Sequence, residues 1–223
     1  MEIKPIGYIK NSFPTKFGLP RQSGLCKNVL STLVFEPEYR SPEALRGLEK
    51  YSHVWIIWCF SENIGKEFSP TVRPPRLGGN TRMGVFATRS SFRPNSLALS
   101  CLKLEGIEKT KEYGHILLLS GGDMMNGTPV YDIKPYLPHI DSIPEALGGF
   151  STEIEDYTKT VIIPQELEAK LPENLLLCLK EILAQDPRPS YIEDDDRVFG
   201  FQFDRYEVKF TVKDDTLTVI SIE

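Results

Sequence analysis

The first 140 residues alternate between short apolar segments and turns. The apolar segments are rich in β-branched and aromatic residues, and Gly, Pro and Asn clusters separate them, which is typical of strands. One short helix is predicted after Ser41, which can cap it, with Pro42 in its first turn. The predicted strands are Val29–Phe35, His53–Phe60, Met83–Thr88, Leu97–Leu104 and His115–Ser120.

The scarcity of helices between these strands predicts the architecture. A doubly wound sheet needs a helix after nearly every strand, and those helices are missing. Many short strands with one short helix favour a closed or nearly closed barrel. We therefore expect residues 1–140 to form a mainly β, N-terminal β-barrel domain.

The pattern changes in residues 141–223. A Pro/Gly-rich segment, Leu137–Phe150, predicts a linker with one helical turn. Glu173–Gln185 has the apolar spacing of an amphipathic helix, and Pro187 follows its end. Three alternating segments then predict a strand meander with a turn at Asp214 and Asp215. These strands are Phe199–Phe203, Tyr206–Val212 and Leu217–Ile222. The sequence therefore predicts a smaller C-terminal α+β domain.

Composition indicates the compartment and redox environment of the protein. The N-terminus, MEIKPIGYIK, carries charge and proline where a signal peptide is apolar, and the longest apolar run, Val54 to Phe60, is too short to span a bilayer. The four cysteines are scattered and the three histidines are isolated, so neither a disulfide framework nor a metal site is expected. These features predict a cytoplasmic, reduced protein without a metal or a membrane partner.

Charge is unevenly distributed along the chain. The net charge is −5, which argues against a wholesale nucleic-acid binder. However, residues 66–103 contain seven Lys or Arg and one acid, whereas residues 141–196 contain fourteen acids and four basic residues. One basic face can still bind phosphates. Charge alone slightly favours structural arginines over a phosphate-binding surface.

Three loop clusters are candidates for chemistry. They are rich in Gly, Pro, Arg and Asn, and they span residues 17–24, 73–95 and 121–136. A single cluster of this kind is better explained as an elaborate turn, but three together favour a functional site. No phosphate-binding P-loop, dinucleotide-binding glycine motif or nucleophile elbow occurs in them.

Individual side chains in these clusters suggest roles. The five arginines of the second cluster match phosphate or carboxylate groups bidentately. Asp123 can hold a ribose diol or an ammonium group, Asp132 or Tyr136 can accept a proton, and Lys134 can stabilise negative charge. Turn capping is an equally open interpretation for the two aspartates.

The same clusters resemble the TrmO family of tRNA methyltransferases. The resemblance rests on PRQSGL at residues 20–25, the long segment TVRPPRLGGNTRMGVFATRSSFRPNSLALS at 71–100, GTPVYDIKPYLP at 127–138, and AQDPRPSY at 184–191. It covers nearly the whole chain. It implies a homodimeric β-barrel enzyme that uses S-adenosylmethionine to methylate the exocyclic nitrogen of threonylcarbamoyladenosine, beside the anticodon of tRNA. It also implies that the C-terminal domain contacts tRNA.

The resemblance assigns a cofactor site to the barrel domain. Ser61 and Glu62 stand where relatives often carry His-Gln, and Asn126 stands where relatives often carry Asp. The implied cofactor-binding residues are Pro20, Arg21, Gln22, Ser61, Glu62, Arg89, Leu99, Asp123, Met124, Met125 and Asn126.

Catalytic and RNA-binding residues are also predicted. Asp132 or Tyr136 is expected to accept the proton of the methylated nitrogen, with Lys134 stabilising charge. Arginines suit phosphates and aromatic rings suit bases. The predicted RNA contacts are Arg73, Arg82, Phe92, Arg93, Arg188 and Tyr191.

Two other functions remain compatible with the residues alone. A non-catalytic RNA-binding barrel would bind RNA without S-adenosylmethionine. A hydrolase or transferase acting on a small anionic substrate through its arginine loop would bind phosphorylated metabolites and ignore RNA. Neither alternative explains why all three loops match one methyltransferase family.

Overall fold

The protein is mainly β, as predicted, with two packed units along the chain. The computed structural model describes residues 2–74, 77, 80–152, 158–188, 194–195 and 197–223. The described strands are β1 Gly7–Lys10, β2 Leu30–Phe35, β3 His53–Cys59, β4 Thr71–Val72, β5 Met83–Gly84, β6 Leu97–Thr110, β7 Gly114–Ser120, β8 Pro129–Pro135, β9 Thr160–Ile162, β10 Phe199–Phe203, β11 Tyr206–Lys213 and β12 Thr216–Ile222. The described α-helices are α1 Pro138–Asp141, α2 Gln165–Glu168 and α3 Glu173–Ala184.

Six strands of the N-terminal unit close on themselves. They pair in the order β1-β2-β7-β6-β3-β8, and β8 pairs back with β1 to give a closed barrel. The fourteen-residue β6 makes this closure possible, since its first half pairs with β3 and its second half with β7. The register with β7 shifts between Leu104 and Gly106, where an irregular pairing increases strand bending.

The barrel interior is apolar. Alternate residues of each strand point inward, as the two-residue period of a strand requires. Burial removes these side chains from water and so supplies the main stabilising free energy of the unit. Its fully buried side chains include Ile9, Leu33, Val54, Ile56, Leu102, Leu117, Leu119 and Val130.

The C-terminal unit is a four-stranded sheet with one amphipathic helix. The strand order is β10-β11-β12-β9, and β9 is parallel to β12. The buried face of α3, which includes Leu179 and Leu183, belongs to the same hydrophobic core as Phe201, Phe203 and Phe210. This core also contains Phe13, Cys26 and Val29 from the connection between β1 and β2. The connection between β1 and β2 therefore packs into the core of the C-terminal unit, while the barrel keeps its own separate core.

Several predicted elements differ in the structure. The predicted strand Met83–Thr88 is only two residues long and continues as a 3₁₀ turn over Val85–Ala87. The predicted helix after Ser41 is two separate 3₁₀ turns, although the Ser41 hydroxyl does accept from the Glu43 amide. Pro129–Pro135, expected to be part of a loop, is the strand that closes the barrel, and the sequence patterns did not predict β1 or β9.

Candidate functional site

A cavity of about 620 Å³ lies where all three loop clusters meet. Its walls come from the loop between β1 and β2, from β3 and the turn that follows it, from the arginine-rich segment, from the start of β6, and from the loop before β8. These segments are distant in sequence and become neighbours because β3 pairs with both β6 and β8. The volume is in the range of small-molecule sites.

A hydrogen-bonded chain of three side chains lies in the cavity wall. The Trp58 indole donates to the Ser100 hydroxyl at 2.9 Å, and that hydroxyl donates to Asp123 Oδ1 at 2.7 Å. Trp58 and Ser100 were missed as functional residues because each stands inside an apolar strand. The available signal was Ser100 itself, a hydroxyl on the buried face of β6.

Asp123 is a partly buried carboxylate of the cavity wall. Burial raises the pKa of Asp123 above its ordinary value, while the hydrogen bond from Ser100 and the charge of Arg89 act in the opposite direction. A carboxylate in this setting is suited to binding a cation or a hydroxyl pair, because fixed donors already offset part of its desolvation.

Arg89 and Gln22 connect two of the loop clusters. Arg89 Nη1 donates to Gln22 Oε1 at 2.6 Å, and both side chains line the cavity. Arg21 lies beside them, but its Nη2 donates to two backbone carbonyls of the C-terminal unit, at Asp186 and Arg188. Arg89 thus supplies positive charge close to Asp123, while Arg21 bridges the two units.

Most of the predicted cofactor-binding side chains line the cavity. Glu62 is held there by an ion pair with Lys16 at 2.9 Å. Met124 and Asn126 do not line it, because Met124 packs in the barrel core and the Asn126 side chain accepts from the Asn11 amide. The predicted residues in the lining are Pro20, Arg21, Gln22, Ser61, Glu62, Arg89, Leu99, Asp123 and Met125.

The predicted catalytic residues lie on or next to β8, outside the cavity lining. Asp132 and Lys134 form an exposed ion pair at 2.9 Å. They occupy the β8 positions in register with Ile57 and Trp55, which do line the cavity. The Tyr136 ring contacts the Trp55 ring at a centroid distance of 5.7 Å. The structure therefore places this group next to one wall of the cavity.

The predicted RNA contacts have different surroundings. Arg73 and Phe92 are exposed, and Arg82 donates to the Thr71 hydroxyl at 3.0 Å. Arg93 Nη1 is bound to the carbonyls of Val85 and Thr88, so its guanidinium is partly used within the protein. Tyr191 lies outside the described residues.

The surroundings of Arg188 and Phe86 could not be read from the sequence. Arg188, predicted to contact RNA, is only 13% exposed and forms a bidentate ion pair with Asp186. Phe86 had no predicted role, yet it is 72% exposed. The Phe86 ring stacks on Phe68, and the Arg93 guanidinium lies 5.7 Å from its centroid. Its place in an apolar segment concealed this exposure, since that segment was expected to be a strand.

The described part of the chain can also be compared with the requirements of metal binding and membrane insertion. Within those ranges, no three His, Cys, Asp or Glu side chains are grouped so that they could hold a metal ion. Nor does any described helix have the length and apolar character needed to cross a membrane. The four cysteines are free thiols.

Comparison with known proteins gives one consistent family. The profile of the tRNA-methyltransferase O N-terminal domain matches residues 8–142, and that of the TrmO C-terminal domain matches residues 155–223. The chain is 39% identical to the tRNA (adenine(37)-N6)-methyltransferase of Escherichia coli K12, an alignment that covers 100% of this chain and 97% of that protein.

Two proteins of Pseudomonas aeruginosa support the same grouping. The chain is 40% identical to a putative S-adenosylmethionine-dependent methyltransferase, RcsF, over 85% of this chain and 82% of that protein. The crystal structure of TrmO from this organism superimposes with a TM-score of 0.79 at 32% identity, and covers 100% of this chain and 98% of that one. Two matched domain profiles, a full-length relative and a full-length fold match agree, and the chain belongs to the TrmO family.

Proposed function

We propose that this protein transfers a methyl group from S-adenosylmethionine to N6 of adenine 37 in tRNA. The observation that carries the proposal is the cavity itself, in which three family-matched loops bring a partly buried carboxylate, Asp123, close to the arginine Arg89. The names of the relatives, a tRNA (adenine(37)-N6)-methyltransferase and an S-adenosylmethionine-dependent methyltransferase, support this reaction.

The donor set of the cavity fits S-adenosylmethionine. The cofactor has an amino-acid end with an ammonium and a carboxylate, a ribose diol and an adenine. Asp123 matches the ammonium or the diol, Arg89 matches the carboxylate, and apolar walls at Leu99 and Trp58 suit the adenine. We assign the site to the lining residues Pro20, Arg21, Gln22, Ser61, Glu62, Arg89, Leu99, Asp123 and Met125.

The bound cofactor supplies an electrophilic methyl group. The protein's residues position the reacting groups and accept the proton that the nitrogen releases. We propose Asp132 as the proton acceptor for the methylated nitrogen, with Lys134 beside it and Tyr136 on the neighbouring aromatic surface. The register of Asp132 with Ile57 at the cavity wall supports this assignment. A general base of this kind contributes about 10²–10⁴-fold to a rate.

We further propose that the substrate adenine carries a threonylcarbamoyl group. That group adds a carboxylate and a hydroxyl to the base, and Lys16 supplies a cationic group in the cavity lining. The RNA itself would lie against the basic segment, where Arg73, Arg82 and Phe92 are exposed. We add Phe86 to this surface, because an exposed ring next to the Arg93 guanidinium suits base stacking.

Residues 1–140 are assigned as the β-barrel cofactor-binding domain and residues 141–223 as a linker with a small α+β domain that contacts tRNA. The ends of the two matched profiles support this division. We propose a cytoplasmic location, with which a tRNA substrate is consistent. A homodimer is proposed because the chain belongs to the TrmO family, whose resemblance implied a homodimer.

The direct test is methyl transfer to defined tRNA. The protein is incubated with S-adenosylmethionine and tRNA that either carries or lacks threonylcarbamoyladenosine, and the nucleosides are analysed by mass spectrometry. We expect one methyl group on the modified nucleoside, and none on unmodified adenosine. If only unmodified adenosine were methylated, the threonylcarbamoyl substrate would be rejected, but the proposed methylation of adenine 37 would stand. RNA binding with neither cofactor binding nor methylation would favour the RNA-binding barrel instead.

A further inference from the structure

The loop that carries Pro20, Arg21 and Gln22 is held by the C-terminal unit. Arg21 Nη2 donates to the Asp186 carbonyl at 2.8 Å and to the Arg188 carbonyl at 3.0 Å. These acceptors are 165 and 167 residues away in the sequence. Since Arg21 also lines the cavity, one guanidinium joins the cavity wall to the turn that follows α3.

The turn that receives Arg21 has a fixed shape. Asp186 has a φ of 46°, in the left-handed region, and its amide donates to the Leu183 carbonyl at the end of α3. Its carboxylate accepts two 2.9 Å hydrogen bonds from the Arg188 side chain, and these two side chains are 11% and 13% exposed. A sheltered bidentate pair of this kind fixes the orientation of both partners.

The ends of the same loop are also anchored to the C-terminal unit. Gly18 has a φ of +92°, and a Cβ atom there would lie 2.3 Å from the Phe201 ring, so only glycine fits. Asn28 binds the Glu181 carboxylate through its amide and its side chain, both at 2.8 Å. Both ends of this cavity wall, as well as Arg21 between them, are therefore held by the C-terminal unit.

The loop also contacts the charged groups of the cavity, so its position affects theirs. Gln22, the neighbour of Arg21, accepts from Arg89 at 2.6 Å, and Arg89 acts electrostatically on Asp123. A continuous set of contacts thus runs from the turn, through the loop, to the groups assigned to the cofactor. Loss of the Asp186–Arg188 pair would release the carbonyls that hold Arg21.

We infer that Asp186 and Arg188 are positioning residues that set cofactor affinity through the Arg21 loop, and that Arg188 is not a phosphate contact. This inference rests on the proposed function in one respect, namely that S-adenosylmethionine occupies the cavity. It gives the C-terminal unit a role in cofactor binding that is separate from any contact with tRNA.

The test compares Arg188→Ala, Arg188→Lys and Asp186→Asn with the control Arg197→Ala. Arg197 is a suitable control because its guanidinium also lies on the Phe199 ring, at 5.2 Å, but it is exposed. We measure S-adenosylmethionine binding by calorimetry and tRNA binding over a range of salt concentrations, with thermal unfolding as a check on folding. Arg188→Lys keeps the charge and the bulk but loses the bidentate geometry, so it remains informative if Arg188→Ala fails to fold.

We expect the Asp186 and Arg188 variants to raise the cofactor Kd by about tenfold or more. Their tRNA affinity and its salt dependence should match those of Arg197→Ala. A phosphate contact would give the opposite result: Arg188→Ala would weaken tRNA binding, lower the salt slope by about one, and leave the cofactor Kd unchanged. That result would overturn the inference.

Hydrogen exchange separates failure of this inference from failure of the proposed function. In the absence of any ligand, Arg188→Lys should speed amide exchange in residues 19–24, where the Gly24 amide binds the Gly121 carbonyl, and Arg197→Ala should not. If the wild-type protein bound no S-adenosylmethionine, the proposed function would fail while this exchange result still decided whether the turn positions the loop. Unchanged exchange in both variants would reject the positioning role.

Discussion

Ser100 donates its hydroxyl hydrogen to Asp123 across 2.7 Å, and so fixes one carboxylate oxygen in the wall of the cavity. The Ser100 oxygen is itself held by the Trp58 indole. A partly buried carboxylate held in this way cannot reorient without losing its donor, so its position is ready for a ligand. This arrangement has consequences for stability as well as for binding.

Replacing Asp123 with Asn is expected to stabilise the free protein at neutral pH. Because burial raises the pKa of Asp123 above its ordinary 3.8, the folded protein binds this proton more tightly than the unfolded chain does. Stability from this group is therefore fully present below the unfolded pKa, and it is lost as the pH rises through the folded pKa. Thermal unfolding of both proteins between about pH 4 and pH 8 measures this loss.

The expected result is a wild-type melting temperature that falls relative to that of Asp123→Asn as the pH rises. The two melting temperatures should converge at low pH, near the pKa of Asp123 in the unfolded chain. Asp214→Asn, a change at an exposed carboxylate, serves as the control. If Asp123→Asn were less stable than wild type at neutral pH, the carboxylate would be a net stabilising group, and its burial would not carry the free-energy cost that we assign to it.

Asp132→Asn tests the proposed proton acceptor. The change keeps the shape of the side chain and removes its basicity, so methyl transfer should slow by about 10²–10⁴-fold. Cofactor affinity should stay at the wild-type value, because Asp132 does not line the cavity. Single-turnover rates with saturating cofactor and tRNA measure the step. Full turnover would remove Asp132 from the mechanism, and a similar loss in Asp123→Asn would then favour Asp123 as the acceptor.

Phe86→Ala tests the exposed ring as an RNA contact. Stacking of one base on an aromatic side chain contributes about 1–3 kcal/mol, so tRNA binding should weaken by an amount in this range. Because Phe86 is 72% exposed, the free protein should keep its melting temperature. Tyr51→Ala, which also removes an exposed ring, is the control. Equal tRNA affinity in the two variants would remove Phe86 from the RNA surface.

Arg82→Ala separates phosphate binding from other effects. Arg82 is exposed, and its guanidinium donates to the Thr71 hydroxyl in β4. Loss of one phosphate contact should make log affinity fall less steeply with log salt concentration, so that the magnitude of the slope decreases by about one. Arg46→Ala, at an exposed arginine paired with Glu43, is the matched change and should leave the slope unaltered. A slope that did not differ between them would exclude a phosphate role for Arg82.

Sequence patterns identified elements whose signals are local. The helix expected at Glu173–Gln185 is Glu173–Ala184, and the meander strands agree within one residue, because amphipathic spacing and a turn at Asp214 are readable from neighbouring residues. Pro129–Pro135 was not recognised as a strand. Its flanking prolines and its charged Asp132 and Lys134 are typical of a loop, and only its pairing with β1 and β3 makes it part of the barrel.

In the candidate site, too, features with a local sequence signal were predicted, and features that depend on tertiary packing were not. The loop clusters were found from composition, and nine of the eleven cofactor residues that the family resemblance implied line the cavity. Met124 could not be separated from Met125 by sequence, since the direction of each side chain depends on how the loop packs on the barrel core. The contact from Arg21 to Asp186 and Arg188 spans the whole fold, and no local pattern indicates it.

The most direct measurement is a calorimetric titration of the purified protein with S-adenosylmethionine, in parallel with Asp123→Asn and Asp214→Asn. We expect one site per chain in the wild type, an affinity reduced by about tenfold or more in Asp123→Asn, and no change in Asp214→Asn. No binding to the wild type, or equal binding by all three proteins, would contradict the assignment of this cavity to the cofactor.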